Sequence, residues 1–132
     1  MLFIRADANS IIGSGHIMRC LSIANAAKRE GIDCTFISAD REAEDVVLSN
    51  GFSYICLDSR WDKLDGEIEK LKSLIRSLRI RKLLIDSYYV TGNYLHELIK
   101  IFEISSRNLP NVCRSSILKS TMILAIHFAS SG

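Results

Sequence analysis

The residues of this chain best suited to chemistry are a histidine that follows two glycines and an acidic, tyrosine-rich segment later in the sequence. Gly13, Gly15 and His16 stand between a short apolar segment and an amphipathic one, and Asp-Ser-Tyr-Tyr at 86–89 follows a second apolar segment. Backbone N–H groups in a glycine loop bind anions such as phosphate, and an imidazole moves protons near neutral pH. The combination predicts a site for a phosphate-bearing substrate on which the histidine acts.

The elements that position His16 are predicted to be a strand, a loop and a helix. Leu2–Ala6 is apolar and short, which predicts the first strand. Apolar residues at helical spacing then predict a helix over His16–Arg29, and Gly31 stands where a left-handed residue often ends a helix. The positive end of the helix dipole would therefore lie at His16.

The pattern up to Glu103 continues to alternate strands and helices. Further strands are predicted at Cys34–Ser38, Tyr54–Leu57 and Lys82–Asp86. Further helices are predicted at Arg41–Asn50, Trp61–Leu78 and Tyr94–Phe102. Asp40 is expected to cap the first of these helices, and the second is expected to bury one apolar stripe and to leave its charges solvated. This alternation predicts an α/β fold, a parallel sheet with helices on both faces. Ligands bind such sheets beyond the carboxyl ends of the strands, where Gly13–His16 and Asp86–Tyr89 are both predicted to lie.

Each candidate residue also has a purely structural interpretation. The Gly-x-Gly-His pattern alone fits a tight turn as well as a ligand site, with His16 merely starting the helix. Asp7 either forms a turn or orders the glycine loop, and the two are equally compatible with the sequence. Arg19 is either a phosphate contact or a solvated residue, and the sequence favours solvation. The two tyrosines either border a pocket or cover the end of the core.

Composition narrows the classes of protein further. The 132 residues are 48% hydrophobic and 24% charged, which predicts one globular domain. A net charge of +2 is too small to indicate a nucleic-acid or membrane-surface partner, and no apolar run approaches the ~20 residues of a membrane span. Cys20, Cys34, Cys56 and Cys113 are widely spaced and no secretory leader is visible, so we expect buried, reduced thiols, a cytoplasmic protein and no metal site.

Charge changes abruptly after Glu103. All fifteen acidic residues precede residue 104, whereas residues 104–132 hold three basic residues, seven serines and the only proline. Such a break indicates either a domain boundary or a change of reading frame, and we favour the second. The chain is therefore divided into an N-terminal domain, residues 1–103, and a divergent tail, residues 104–132. The apolar run 122–126 predicts a strand or a helix, and no site is assigned to His127.

Two ordered motifs resemble one enzyme family. Residues 4–21 read IRADANSIIGSGHIMRCL and residues 83–91 read LLIDSYYVT, followed by Tyr94 and Leu95. Both resemble the N-terminal domain of the nucleotide-sugar hydrolases of pseudaminic acid biosynthesis and of related spore-coat polysaccharide proteins. The resemblance covers about residues 1–103. It implies a fold of the glycosyltransferase-B type, in which two Rossmann-like domains enclose a cleft.

The resemblance also implies a reaction. Members of this family hydrolyse a UDP-linked 2,4-diacetamido-2,4,6-trideoxy sugar with inversion at the anomeric carbon, without a metal or other cofactor. Carried over by motif, His16 would be the general base that activates water, and Tyr88 would line the sugar pocket and assist that water. Substrate-binding positions are implied for a further set of residues: Asp7, Gly13, Ser14, Gly15, Arg19, Asp86 and Ser87.

The tail departs from the family pattern, because no acidic motif follows the predicted Tyr94–Phe102 helix. In folds of this type the nucleotide is held mainly by the C-terminal domain, so we interpret the chain as an N-terminal fragment. Weak UDP binding and very low turnover are expected of it alone. The alternatives are a sugar transferase of the same fold, a non-catalytic half that pairs with a separate C-terminal polypeptide, and a remnant without function.

Overall fold

Five parallel strands form one sheet, which confirms the predicted α/β class and its Rossmann-like arrangement. The computed structural model describes the backbone of residues 1–106 and 122–126 and the side chains of residues 1–102. The strands are β1 (Leu2–Ala6), β2 (Cys34–Ser38), β3 (Ser53–Cys56), β4 (Lys82–Asp86) and β5 (Met122–Ile126). Their order across the sheet is β3-β2-β1-β4-β5, and every neighbouring pair is parallel.

Helices cover both faces of the sheet, as predicted. They are α1 (Gly15–Arg29), α2 (Glu44–Ser49), a 3₁₀ helix (Leu64–Glu67), α3 (Ile68–Leu78) and α4 (Gly92–Ser106). Side chains alternate across β1, so Phe3 and Ile4 belong to different cores. Ile4 packs in the core that contains the apolar face of α1, and Phe3 packs in the core that contains those of α3 and α4.

The strand order reverses between β1 and β4. From β1 the chain moves outward through β2 and β3, and then returns to place β4 on the other side of β1. The helices that follow β1 and β4 pack in opposite cores. Their first turns therefore diverge above the carboxyl ends of these two strands, the position where open α/β sheets bind ligands.

Local sequence signals set the ends of α1 and α4. Gly31 has a φ of +80°, and the N–H of Ile32 reaches back to the carbonyl of Ala27, so a left-handed glycine ends α1 as predicted. Helix α4 begins at Gly92, earlier than the predicted Tyr94. The hydroxyl of Thr91 accepts a hydrogen bond from the Tyr94 N–H at 3.0 Å and caps the helix there.

Three predicted elements are corrected. The helix expected at Arg41–Asn50 spans only Glu44–Ser49, because Asp40 accepts from the Glu42 N–H and supports a turn instead of a cap. The strand expected at Tyr54–Leu57 is shifted by one residue, to Ser53–Cys56. The helix expected at Trp61–Leu78 is split into a 3₁₀ helix and α3, and its end residue Leu78 is 46% exposed instead of belonging to the buried stripe.

The described part of the tail continues this fold. Helix α4 runs past Glu103 to Ser106, and the apolar run Met122–Ile126 is a strand that pairs with β4. The predictions for Cys113 and His127 lie outside the described residues. Cys20 and Cys34 are buried and Cys56 is half-buried, all three as free thiols. No helix in the described ranges is long and apolar enough to cross a membrane.

Candidate functional site

The loop between β1 and α1 is organised by Asn9. Its side-chain oxygen accepts hydrogen bonds from the N–H groups of Ile11 and Ile12, at 2.8 and 3.0 Å, and its carbonyl accepts from the N–H of Gly13 at 2.8 Å. Gly13 has a φ of +76°, a conformation that costs glycine little and other residues more. The loop is thereby turned so that Ser14 stands directly before α1.

The first turn of α1 is open to a ligand. Ser14 makes no side-chain hydrogen bond to the helix, and no acidic residue lies in the first turn. A Cβ added at Gly13 or Gly15 would meet no atom within 4 Å among the described residues. Space is therefore open around Gly13 and Gly15, and the positive end of the helix dipole beside them favours an anion.

His16 and Asp86 meet at the point where the strand order reverses. Asp86 is the last residue of β4 and pairs in register with Ala6, the last residue of β1. The His16 Nδ1 lies 2.6 Å from an Asp86 carboxylate oxygen, and the two side chains are 4% and 0% exposed. The structure thus brings together the two motifs that the sequence placed at the carboxyl ends of the strands.

Arg19 is an ion-pair partner of Asp86, which corrects the interpretation of Arg19 as a solvated residue. Its Nε and one of its terminal nitrogens each donate to an Asp86 oxygen at 2.9 Å, although the side chain is still 38% exposed. The spacing of three residues in α1 places Arg19 one turn after His16, so both reach the same carboxylate. We call His16, Arg19 and Asp86 the His16 cluster.

Asp86 also accepts a weak hydrogen bond from the thiol of Cys20. The sulfur lies 3.7 Å from a carboxylate oxygen, on the buried side of α1. Burial raises the pKa of the Cys20 thiol to about 12, and the negative charge of Asp86 contributes in the same direction. The thiol therefore stays protonated near neutral pH and acts as a weak donor to Asp86.

The hydrogen-bond network assigns the proton on the imidazole. Asp86 accepts two hydrogen bonds from the Arg19 guanidinium, which fits an ionised carboxylate. The short contact to Nδ1 then requires the proton on Nδ1, so that His16 donates to Asp86. The Arg19 nitrogen at 3.2 Å from Nδ1 is also a donor and is therefore only a packing contact. In this tautomer Nε2 carries the free lone pair.

Nε2 of His16 has no hydrogen-bond partner among the described residues, although the atom is buried. Unpartnered buried nitrogens are rare in folded proteins and call for an explanation such as a catalytic role or a bound water; Asn9 Nδ2 is the other such atom among the described residues. The Tyr88 ring packs edge-on against the imidazole, with centroids 4.4 Å apart, and is itself 45% exposed.

Ser87 and Asp7, two further candidates, have internal partners. Ser87 is buried, and its hydroxyl accepts from the N–H of Tyr89 at 3.0 Å, so it shapes the turn after β4. Asp7 is 3% exposed; one of its oxygens accepts from the N–H of Ala39 at 2.8 Å and the other pairs with Arg5 at 2.7 Å. Asp7 thus joins the ends of β1 and β2, instead of forming a turn or ordering the glycine loop.

A second group of buried charges, which the sequence did not reveal, surrounds Arg5. Its guanidinium makes two hydrogen bonds to Glu67, at 2.7 and 2.6 Å, and one to Asp7. Tyr94 donates its hydroxyl to Glu67 at 2.9 Å. We call these residues the Arg5 cluster: Arg5, Asp7, Glu67 and Tyr94. Glu67 is fully buried, which corrects the interpretation of the charges in 61–78 as a solvated face.

Electrostatics in the Arg5 cluster hold the Arg5 guanidinium in its charged form. Burial alone would lower the pKa of Arg5, but the hydrogen bond to Glu67 and the charges of Asp7 and Glu67 raise it well above its ordinary value. Burial also raises the pKa of the Tyr94 hydroxyl, and the charge of Glu67 adds to this effect. A strand arginine flanked by apolar residues was the one available signal for such a cluster, since buried arginines need partners.

No family model, curated protein or solved structure matches this chain. Support for a function therefore comes from the site itself: an oriented imidazole with a free lone pair beside an open helix N-terminus. Among the described residues, no three His, Cys, Asp or Glu side chains are grouped so that they could hold a metal ion.

Proposed function

We propose that this chain is the N-terminal domain of a nucleotide-sugar hydrolase with a glycosyltransferase-B-type fold, and that His16 is its general base. The observation that supports this most directly is the asymmetry of the imidazole. Nδ1 is held by Asp86, whereas Nε2 is buried and has no partner among the described residues. A carboxylate that fixes one ring nitrogen leaves the other poised to take a proton.

The diphosphate of the substrate binds at the start of α1 in this proposal. The residues from Gly13 to Gly15 leave open space for it, and the first-turn N–H groups supply donors. Negative charge there is stabilised by the helix dipole. The anomeric carbon, which is bonded to the diphosphate, is then brought beside His16, the second residue of the same helix.

The reaction consists of one displacement by water. His16 Nε2 removes a proton from water as its oxygen bonds to the anomeric carbon on the face opposite the diphosphate. The bond between that carbon and the diphosphate oxygen breaks, and its electron pair leaves with UDP. Free sugar of inverted configuration and protonated His16 result, and His16 then releases its proton to solvent. The resemblance implies a UDP-linked 2,4-diacetamido-2,4,6-trideoxyhexose as substrate.

The neighbours of His16 position it for this step. Asp86 stabilises the imidazolium that forms, and Arg19 holds Asp86 through two hydrogen bonds. Tyr88 packs on the ring, and in this proposal it contacts the sugar and the water. Proton transfer to a base positioned in this way typically contributes about 10²–10⁴-fold to the rate.

The test compares UDP release by the chain and by its His16→Gln variant. The UDP-linked diacetamido sugar is incubated with protein, free UDP is measured by phosphorus NMR, and the anomer first formed is identified by proton NMR. We expect slow release of UDP, inverted sugar as product, and a loss of about 10²–10⁴-fold in His16→Gln. His96→Gln is the matched control, because His96 is an exposed histidine on α4.

Other results would contradict this function. Equal UDP release by His16→Gln and the unaltered chain would remove His16 as the base. Release that requires an added sugar acceptor would show a transferase instead of a hydrolase. Retained configuration in the first product would exclude direct displacement by water.

A further inference from the structure

A groove of about 580 Å³ is lined in part by Tyr88, whose ring packs on His16, and is not explained by the general-base role. Its walls are the segments 62–66, which include most of the 3₁₀ helix, and 88–91, which follow β4. This volume is typical of small-molecule sites, which measure roughly 300–1,000 Å³. Tyr88 belongs both to the groove and to the packing around the imidazole. An occupant of the groove would therefore contact Tyr88, the residue that packs on the imidazole.

We propose that this groove selects the sugar of the substrate, with Tyr89 and Asp65 on opposite walls as the specificity-determining residues. The inference rests on the proposed hydrolase function and adds to it the part of the substrate that each wall contacts. The occupant would be a neutral hexose that bears hydroxyl or acylamino groups. Its C–H face would pack on Tyr89, and its O–H or N–H groups would donate to Asp65.

The aromatic wall suits a sugar ring. Tyr89 is 40% exposed, and Trp61 braces it edge-on with ring centroids 5.5 Å apart. Val90 adds apolar surface within the groove, and Leu64 lies buried behind it. A fixed aromatic ring with a few polar groups around it is the usual composition of a small-molecule pocket.

The charges around the two places indicate which part of the substrate binds at each of them. Asp65 lines the groove and disfavours an anion beside it, whereas Asp62 is paired with Arg60 at 2.8 Å and Lys63 is also among the lining residues. The start of α1, in contrast, attracts an anion. The uracil base also stacks on aromatic rings, but the ribose and two phosphates separate it from the anomeric carbon. In the proposed binding mode the anomeric carbon lies beside His16, and Tyr88 connects His16 to the groove, so the group bonded to that carbon is the one that reaches the groove.

Hydrogen bonds hold the two walls in place without a ligand. The Thr91 hydroxyl donates to Asp65 at 2.6 Å and so joins one wall to the other. Behind the walls, Tyr94 donates to Glu67, which Arg5 holds through two further bonds. Pre-formed walls lower the entropy cost of binding and make a site selective.

The test is an NMR titration of the ¹⁵N-labelled 132-residue chain with UDP and with UDP-N-acetylglucosamine. We expect both probes to shift the amides of Gly15–Ile17, whereas only UDP-N-acetylglucosamine shifts those of Asp65–Gly66 and Tyr89–Thr91. Tyr89→Ala should weaken binding of UDP-N-acetylglucosamine about tenfold and leave that of UDP unchanged. Tyr89→Phe retains the ring and should bind like the unaltered chain, as should Leu78→Ala on the distant end of α3.

Each other outcome has a definite meaning. If UDP, which carries no sugar substituent, also shifted the amides of the groove, the uracil base would be placed there and the proposal would be overturned. Shifts at α1 without groove shifts would overturn it while leaving the hydrolase function intact. An absence of shifts at both places would refute the proposed function and this inference with it. Groove shifts that require the sugar, combined with UDP release unaffected by His16→Gln, would retain the groove and reject His16 as the base.

Discussion

The Arg5 cluster and the His16 cluster lie at the ends of neighbouring strands, yet they differ in whether every polar atom has a partner. Each contains an arginine–carboxylate contact with two hydrogen bonds from the guanidinium, which is fully buried at Arg5 and partly exposed at Arg19. In the Arg5 cluster no buried side-chain nitrogen or oxygen lacks a partner among the described residues. In the His16 cluster, by contrast, the Nε2 atom of His16 is buried and has no hydrogen-bond partner among those residues.

This difference separates a stabilising cluster from a reactive one. A buried network with all its hydrogen bonds made rigidifies the fold and binds nothing further. A buried nitrogen without a partner costs about 1–3 kcal/mol, which a fold tolerates where a substrate or water supplies the missing bond. The Arg5 cluster therefore fixes the groove walls, and the His16 cluster keeps an acceptor for the reaction.

The largest expected effect on stability follows from removing the cation of the Arg5 cluster. Arg5→Met would leave Asp7 and Glu67 buried without their cation, so we expect the free energy of unfolding to fall by about 3–5 kcal/mol. Guanidinium denaturation followed by circular dichroism measures this loss. Arg41→Met is the matched control, because its ion pair with Glu44 is exposed and should leave the denaturation midpoint almost unchanged.

A second variant, with a smaller expected loss of stability, keeps the prediction testable if the Arg5→Met protein does not fold. Tyr94→Phe removes only the hydroxyl that donates to Glu67, so we expect a loss of about 1.5–3 kcal/mol, typical of a hydrogen bond to a charged group. If both variants were as stable as Arg41→Met, the buried contacts would contribute nothing, and the comparison between the clusters would fail.

A second, smaller effect concerns alkaline pH and the thiol that contacts Asp86. The pKa of Cys20 rises from 9.0 to about 12 on folding, so between these values the folded chain binds more protons than the unfolded chain. Rising pH therefore favours unfolding across this window, by up to about 1.4 kcal/mol per pH unit for one group. Cys20→Ser should make the decline of stability from pH 9 to pH 12 shallower by that amount.

Tyr54 provides the reference for this measurement. Burial raises its pKa from 10.0 to about 12, so its contribution declines over nearly the same window and is present in both proteins. The difference in slope between the unaltered chain and Cys20→Ser therefore reports Cys20 alone. Equal slopes would mean that the thiol ionises in the folded chain as it does in the unfolded one.

The meeting of His16 and Asp86 could be predicted from the sequence because two regular patterns determine it. Apolar segments at Leu2–Ala6 and Lys82–Asp86 predicted parallel strands with the observed bounds, and parallel strands end at one edge of the sheet. Residues that directly follow such strands must lie together there. The prediction needed no knowledge of side-chain packing.

Side-chain pairings between distant segments could not be predicted in this way. Arg5 and Glu67 are separated by sixty-two positions, and Glu67 lies in a charged segment whose pattern fits a solvated helix. The direction in which Glu67 points depends on the 3₁₀ helix that precedes α3, and the periodicity of the sequence does not reveal that change in winding. Arg19 was misinterpreted for the same reason, because its partner Asp86 lies on β4, sixty-seven positions along the chain.

The smallest expected effect is the most informative about the His16 cluster. His16→Phe loses the hydrogen bond to Asp86, worth about 1.5–3 kcal/mol, but also removes the unpartnered nitrogen, which costs about 1–3 kcal/mol. The two terms nearly cancel, so we expect the free energy of unfolding to change by less than about 1.5 kcal/mol. Asp86 keeps its two hydrogen bonds from Arg19 in this variant. His16→Ala, measured in the same denaturation series, should be less stable than His16→Phe because it leaves a cavity. A loss in His16→Phe as large as that in Arg5→Met would show that the imidazole is held for stability, and the proposed general base would lose its main support.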